Sequence, residues 1–355
     1  MDKIGWGQLG IVLVISRIFA EAANFPSDDI NYGMQRFTVI IISYLLSAIL
    51  LIPVFIMARR YDKGEETFKN NKAFAIALSA YLILAAISTM TRLQFYAAST
   101  IFDAAPPWLL ILFVSGVCLY GLLKGIAAVA RTGVIVAGGF LVLLITVIIG
   151  ISGDIKIEYL YPAITDNSSM LFGNILTELS KNAEAAIFAA LLTTVRKDRV
   201  KSLCLYFPVS LFALLLMTFL YNTVLGEYLN NVNFPFYALS SLSDITIFQR
   251  LDGIDVIIWL MTAIIKLSLI INGIFFLIEN AFGKRRTALI AAGISLAAVT
   301  ISCFLFSVNT NDFLLFSSLM ETGIPLTAAV FAVPSAILIV DKLKKGKGEK
   351  KHEKA

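Results

Sequence analysis

Charge is scarce in this 355-residue sequence: 15% of its residues are charged, where a soluble globular chain carries about a quarter. That leaves too little polar surface to coat a water-facing body, which argues against a soluble enzyme, a nucleic-acid binder and a disordered chain. Histidine is nearly missing. The single one, His352, stands in the charged tail, so histidine-based catalysis and histidine zinc sites have nothing to build on. The three cysteines, Cys118, Cys204 and Cys303, lie far apart in apolar stretches. They read as small core residues, and neither a disulfide framework nor a metal or cofactor motif is visible.

Apolar residues, by contrast, make up 58% of the chain, and its mean hydropathy is +0.84. They come in long runs divided by short charged segments, the pattern of membrane helices of about 20 residues each. Ten candidate spans follow: Ile4–Phe25, Phe37–Ala58, Ala73–Ile101, Pro107–Leu123, Val129–Ile151, Leu171–Thr194, Leu203–Leu225, Ile254–Phe282, Ala288–Ser307 and Phe313–Val340. The expected fold class is therefore an all-α integral membrane protein.

With ten spans, one side of the membrane collects 22 lysines and arginines and the other only Arg36, Lys156 and Arg250. The positive-inside rule then puts both termini in the cytoplasm. The net charge of +5 is mostly this bias rather than a sign of nucleic acid. The lysine-rich tail, residues 342–355, reads as a solvated topology anchor. The N-terminal run imitates a secretory signal, with Lys3 before it and Ala20-Glu21-Ala22 within it. Arg17 interrupts that run, so it is read as a retained span. Of the longer outer connections, the one holding Phe234-Pro235-Phe236-Tyr237 is expected to lie at the interface or cap the bundle.

Four basic residues remain inside spans: Arg17, Arg92, Lys181 and Lys266. Each costs about 2.5–3.5 kcal/mol at a helix centre and needs a partner or a wet cavity. Glu21, Glu178 and Glu184 share the same spans. Arg17 and Glu21 are four apart, and Lys181 is three from both Glu178 and Glu184, spacings that share one helix face. Divided into repeats of residues 1–152 and 153–341, the chain shows a correspondence. The first helix of each half carries a basic–acidic pair, Arg17/Glu21 and Lys181/Glu184, and the third carries one buried base, Arg92 and Lys266. Inverted-repeat transporters hold their ligands near the midplane beside such helices, often where the helix is broken. Asn24-Phe25-Pro26, Gly173-Asn174 and Lys181-Asn182 are compatible with irregular backbone.

The candidate ligand lining is therefore Phe19, Ala20, Glu21, Arg92, Lys181, Glu184 and Lys266, with Arg17, Glu184 and Lys266 as coupling or gating groups. Lys266 has no acidic residue within four positions. Its ammonium either takes the place of a bound cation between the first and eighth helices or pairs with Glu21 or Glu184. Asp252 and Asp255 read as helix N-terminal acids. Glu279 reads as snorkelling or pairing with Lys284, and Glu321 as facing either a cavity or the outer interface. Gly121, Gly125, Gly138 and Gly139 read as close-packing positions.

Several stretches together resemble the spore germination permease family, the B subunits of nutrient germinant receptors in endospore-forming bacteria. They are Phe234-Pro235-Phe236-Tyr237, Phe248-Gln249-Arg250-Leu251-Asp252, Ile258-Trp259 and Ile265-Lys266-Leu267-Ser268. Thr91-Arg92, Ala104-Ala105-Pro106-Pro107-Trp108, the stretch from Gly121 to Ala130-Arg131, and Asn182-Ala183-Glu184 agree with it. The resemblance implies the amino acid–polyamine–organocation superfamily and a leucine-transporter-like fold of two inverted five-helix repeats. It also implies a multi-pass location in the cell membrane, the spore inner membrane in a sporulating source. The implied function is binding of a small polar, amino-acid-like nutrient and signalling to partner receptor subunits, a lipoprotein and a membrane subunit with a soluble domain. A proton-coupled amino acid or amine transporter and a non-transporting scaffold are the alternatives; an enzyme is not expected, nor a nucleic-acid partner.

One departure bears on the ligand. Members with an amino-acid germinant often carry Gly-x-Gly in the broken first helix, where this chain has Phe19 and Glu21. A bulky ring and an acid there shrink the pocket and repel a carboxylate unless Arg17 compensates. That argues for a cationic or different nutrient.

Overall fold

The computed structural model describes residues 3–22, 34–63, 71–100, 106–160, 168–243, 251–340 and 342. Asn24-Phe25-Pro26, Ala104-Ala105, Phe248-Gln249-Arg250 and the tail beyond Lys342 lie outside these. Among the described residues the chain is helical, and its one β-bridge joins Ile4 to Val195.

Helices stand where the apolar runs predict them, and prolines and glycines mark where they start and bend. The first run forms α1 (Trp6–Ala22). The second forms α2 (Met34–Leu50) and α3 (Ile52–Asp62), bent by 47° at Pro53, which cannot donate to the preceding turn. α4 (Lys72–Thr100) is continuous through Arg92. Pro106 precedes α5 (Pro107–Lys124), and Gly125, at a φ of 84° that suits glycine, turns the chain into α6 (Ile126–Gly150).

In the second half the sixth run is split into α7 (Ser168–Ser180) and α8 (Glu184–Leu191) by irregular backbone at residues 181–183. α9 (Arg199–Leu220) follows, and then α10 (Pro235–Leu242), which buries Phe236. The longest helix is α11 (Asp252–Phe282), followed by α12 (Arg285–Val308). The tenth run is α13 (Thr310–Glu321) and α14 (Ile324–Val340), bent by 49° where Gly323 takes a φ of 72° ahead of Pro325.

Among the described residues, five helices are long and apolar enough to cross a membrane: α4, α6, the span from Arg199 to Leu229, α11 and α12. The two bent pairs raise that to seven. α1, α5 and the α7–α8 pair, shorter or broken, occupy the other three predicted runs.

α11 is the central post. Every residue from Ile265 to Leu277 is buried, as expected of a helix that is apolar on all sides. It lies along α4 and α12 and touches α1, α5, α6 and α8. α1 lies between α9, α6 and α11. A Cβ on Gly133 of α6 would come within 2.9 Å of Val12, so glycine sets that crossing. The sequence had assigned close packing to Gly138 and Gly139, but a Cβ on either meets nothing within 4 Å. Both lie on the outward face of α6, beside the exposed Ile135, Leu141 and Val142.

Candidate functional site

The irregular turn between α7 and α8 faces the middle of α1, α4 and α11, and the charged side chains gather there. Lys266 of α11 reaches across the bundle. Its ammonium donates to Glu184 Oε1 at 2.8 Å and to the Ser16 carbonyl at 3.3 Å. Ser16 Oγ donates to the same Glu184 oxygen at 2.6 Å. One carboxylate, at the first residue of α8, thus ties α8 to α1 and α11. Lys266 and Glu184 are both buried, so each needs the other; an isolated charge in this setting is costly.

A second cluster lies beside it, built of two carboxylates bracketed by three cations. Arg17 donates to Glu178 in a very short contact and stands 3.8 Å from Glu21. Lys181 donates to Glu178 at 2.9 Å and approaches Glu21 to 3.6 Å. Arg36, from α2, closes on the other oxygen of Glu21. All five groups are buried or nearly so, with only Arg36 keeping appreciable exposure.

Across from these, Arg92 Nη2 donates to Glu321 at 3.1 Å and to Ser317 at 3.2 Å, joining α4 to the bend of the tenth run. Between the three groups is a cavity of about 60 Å³. Its walls are Phe19 and Ala20 of α1, and Tyr81, Ala85, Ser88, Thr89 and Arg92 of α4. Ser180, Lys181 and Ala183 at the break, Lys266 of α11, and Met320 and Glu321 at the end of α13 complete it. The C-terminal end of α7 and the N-terminal end of α8 both arrive here, and the amides of Ala185, Ala186 and Ile187 are bonded within the turn to the Asn182 and Ala183 carbonyls.

Phe19, Ala20, Arg92, Lys181 and Lys266, all expected from the sequence, line this cavity, whereas Glu21 and Glu184 stand behind Lys181 and Lys266. One pairing is corrected. Lys181 does not pair with Glu184 three residues on. The helix is interrupted between them, so the helical spacing rule does not apply, and Lys181 turns to Glu178 and Glu21 instead. Arg17 keeps the expected ion pair with Glu21, at 3.8 Å, and adds a closer one with Glu178.

Three groups escaped sequence reasoning. Arg36, counted among the outer loop charges, is drawn into the buried cluster. Ser16, a small polar residue in an apolar run, supplies both a hydroxyl and a carbonyl. Asp255 is no surface N-terminal acid: it is 0% exposed and accepts from Tyr96 Oη at 3.3 Å and Ser240 Oγ at 3.4 Å. Tyr96 and Phe19 both touch the ring of Trp259, which links that corner to the cavity wall. Glu321, for which two positions were open, is at the cavity. Among the described residues no group of three or more histidine, cysteine or acidic side chains is placed to hold a metal ion.

The family described as spore germination protein matches residues 71–312, more than half of the chain and from α4 into α13. No curated protein matches it. Among solved structures it is similar to the substrate-bound outward-open state of a Na+-coupled sialic acid symporter, with a TM-score of 0.58 and 12% identity. The alignment covers 92% of this chain and 79% of that one. At that identity the likeness speaks for the fold alone, an all-helical one shared with that membrane transporter.

Proposed function

The chain belongs to the spore germination protein family, and on that premise we propose that it is a B-type subunit of a nutrient germinant receptor. It binds a small polar, amino-acid-like nutrient in the cavity between α1, α4, the α7/α8 break, α11 and α13. The observation that carries this reading is the convergence of Arg92, Lys181, Lys266 and Glu321 on one cavity at a helix break. Placing so many charges in the middle of an apolar bundle is costly, and a polar ligand gives them a purpose. The remaining features of the proposal are ten spans with both termini cytoplasmic, two inverted five-helix repeats (residues 1–152 and 153–341), and a cytoplasmic tail at 342–355. The lipoprotein and soluble-domain subunits of the receptor are its proposed partners, and the spore inner membrane its proposed location.

Signalling then requires two states of the bundle with different affinity for the nutrient. The α7/α8 break, which lines the cavity, and the bend at Gly323, two residues beyond Glu321, are where a shift would be taken up. The experiment is a thermal-stability screen of the detergent-purified chain against amino acids, amines, sugars and nucleosides. A ligand that binds the folded state raises its melting temperature by mass action. The hit should vanish in Ala85→Val, which fills the cavity without touching a charge. A full response in that variant, or silence across the panel, would count against the site.

A proton-coupled transporter is the second reading, favoured by Glu184 Oε2, which has no hydrogen-bond partner in its buried position. Uptake into proteoliposomes that needs a pH gradient and disappears in Glu184→Gln would establish it over sensing alone. A scaffold without a ligand would instead tolerate both substitutions.

A further inference from the structure

We infer that the group recognised in this cavity is a carboxylate, and that a ligand ammonium is not required. The inference rests on the nutrient-binding reading of the same cavity and reverses the expectation drawn from Glu21. That residue does not line the cavity, and Arg17, Arg36 and Lys181 surround its carboxylate. What lines it are cations from three elements, Lys181, Lys266 and Arg92, with Glu321 as the one carboxylate among the described residues.

The ammonium groups have capacity left. Each carries three N–H donors. Lys266 uses two, on Glu184 and the Ser16 carbonyl. Lys181 donates to Glu178, with Glu21 at 3.6 Å. At least one donor on each is therefore available to a ligand, and two N–H groups from separate elements match the two oxygens of a carboxylate. A cationic ligand would meet only Glu321, whose Oε1 already accepts from Arg92 and Ser317, because Glu21, Glu178 and Glu184 stand behind the lysines. The rest of the wall joins Phe19, Ala20, Ala85, Ala183 and Met320 with the hydroxyl-bearing Tyr81, Ser88, Thr89 and Ser180, and a cavity of about 60 Å³ keeps the body attached to the carboxylate short.

The test is a matched series of near-identical size on the purified full chain: propionate, L-alanine, propionamide and propylamine, at constant ionic strength. Propionate and L-alanine are expected to raise the melting temperature saturably. Propionamide and propylamine should bind at least about tenfold more weakly, the cost of losing a charge-assisted contact. The Lys266→Gln/Glu184→Gln double variant removes a charge pair together, so no lone charge remains to unfold the protein. It should weaken propionate at least about tenfold. Ala85→Val should weaken it as much with every charge in place. Equal or stronger stabilisation by propylamine or propionamide, or propionate binding that ignores both variants, overturns the inference. A panel in which only a neutral sugar or nucleoside binds, and Ala85→Val abolishes that binding, sinks the carboxylate and leaves the nutrient site standing. Silence from all ligands sinks both.

Discussion

The Lys266 ammonium stands 2.8 Å from Glu184 Oε1, a carboxylate 82 residues earlier in the chain. Both side chains are buried, and they join the central helix to the first residue after the break in the sixth run. Removing one partner alone leaves a buried charge. Lys266→Ala and Glu184→Ala should each cost about 3–5 kcal/mol, while Lys266→Met with Glu184→Leu should recover most of that. Melting curves of the three variants in one detergent check this, and an additive double variant would deny the pairing.

The five-charge cluster predicts an order of effects. Glu21→Gln leaves Arg17, Arg36 and Lys181 around the single carboxylate of Glu178 and should destabilise by about 3–5 kcal/mol. Arg36→Gln leaves Glu21 with two cations, and Arg36 is partly solvated, so about 1–2 kcal/mol is expected. Denaturation of the two variants side by side reads the order directly.

Two glycines on one helix should behave oppositely. Gly133→Val forces α6 away from Val12 and should cost about 1–3 kcal/mol. Gly139→Ala meets nothing within 4 Å and should change stability by less than about 0.5 kcal/mol, or raise it slightly through helix propensity. Melting temperatures separate them.

Asp255 is held by hydroxyls. Asp255→Asn keeps an acceptor for Tyr96 and Ser240 and should stay within about 1 kcal/mol of the parent chain. Asp255→Leu leaves the buried Tyr96 hydroxyl without that acceptor and should cost about 1–3 kcal/mol. Unfolding of Asp255→Leu and of Tyr96→Phe/Asp255→Leu would show whether the orphaned hydroxyl is the cause.

The positions of the helices were legible because lipid demands long apolar runs, and composition records that demand directly. The residues around the cavity were legible too, because Arg92, Lys181 and Lys266 are anomalous in such runs. Their partners were legible only in part: a Lys266–Glu184 pair was one of the readings open, and the Arg17–Glu21 pair is present. Pairing Lys181 with Glu184 assumed one continuous helix, and the interruption at residues 181–183 rotates them apart. Glu184 meets Lys266, and Arg17 meets Glu178, over separations that no local spacing rule spans. Arg36 sat near a span end and passed for a loop charge. Asp255 satisfied a helix-terminus explanation, and its burial depends on Tyr96 and Ser240, which approach it only in the folded bundle. Ser16 carried no signal at all, since a serine in an apolar run is ordinary.

The central claim is that nutrient occupies this cavity to trigger the receptor, and the most direct measurement is a germination dose–response in spores carrying the chain. Ala85→Val and the Lys266→Gln/Glu184→Gln pair should each raise the half-maximal nutrient concentration at least about tenfold, with the amount of protein unchanged. An unshifted half-maximal concentration in both would contradict the account.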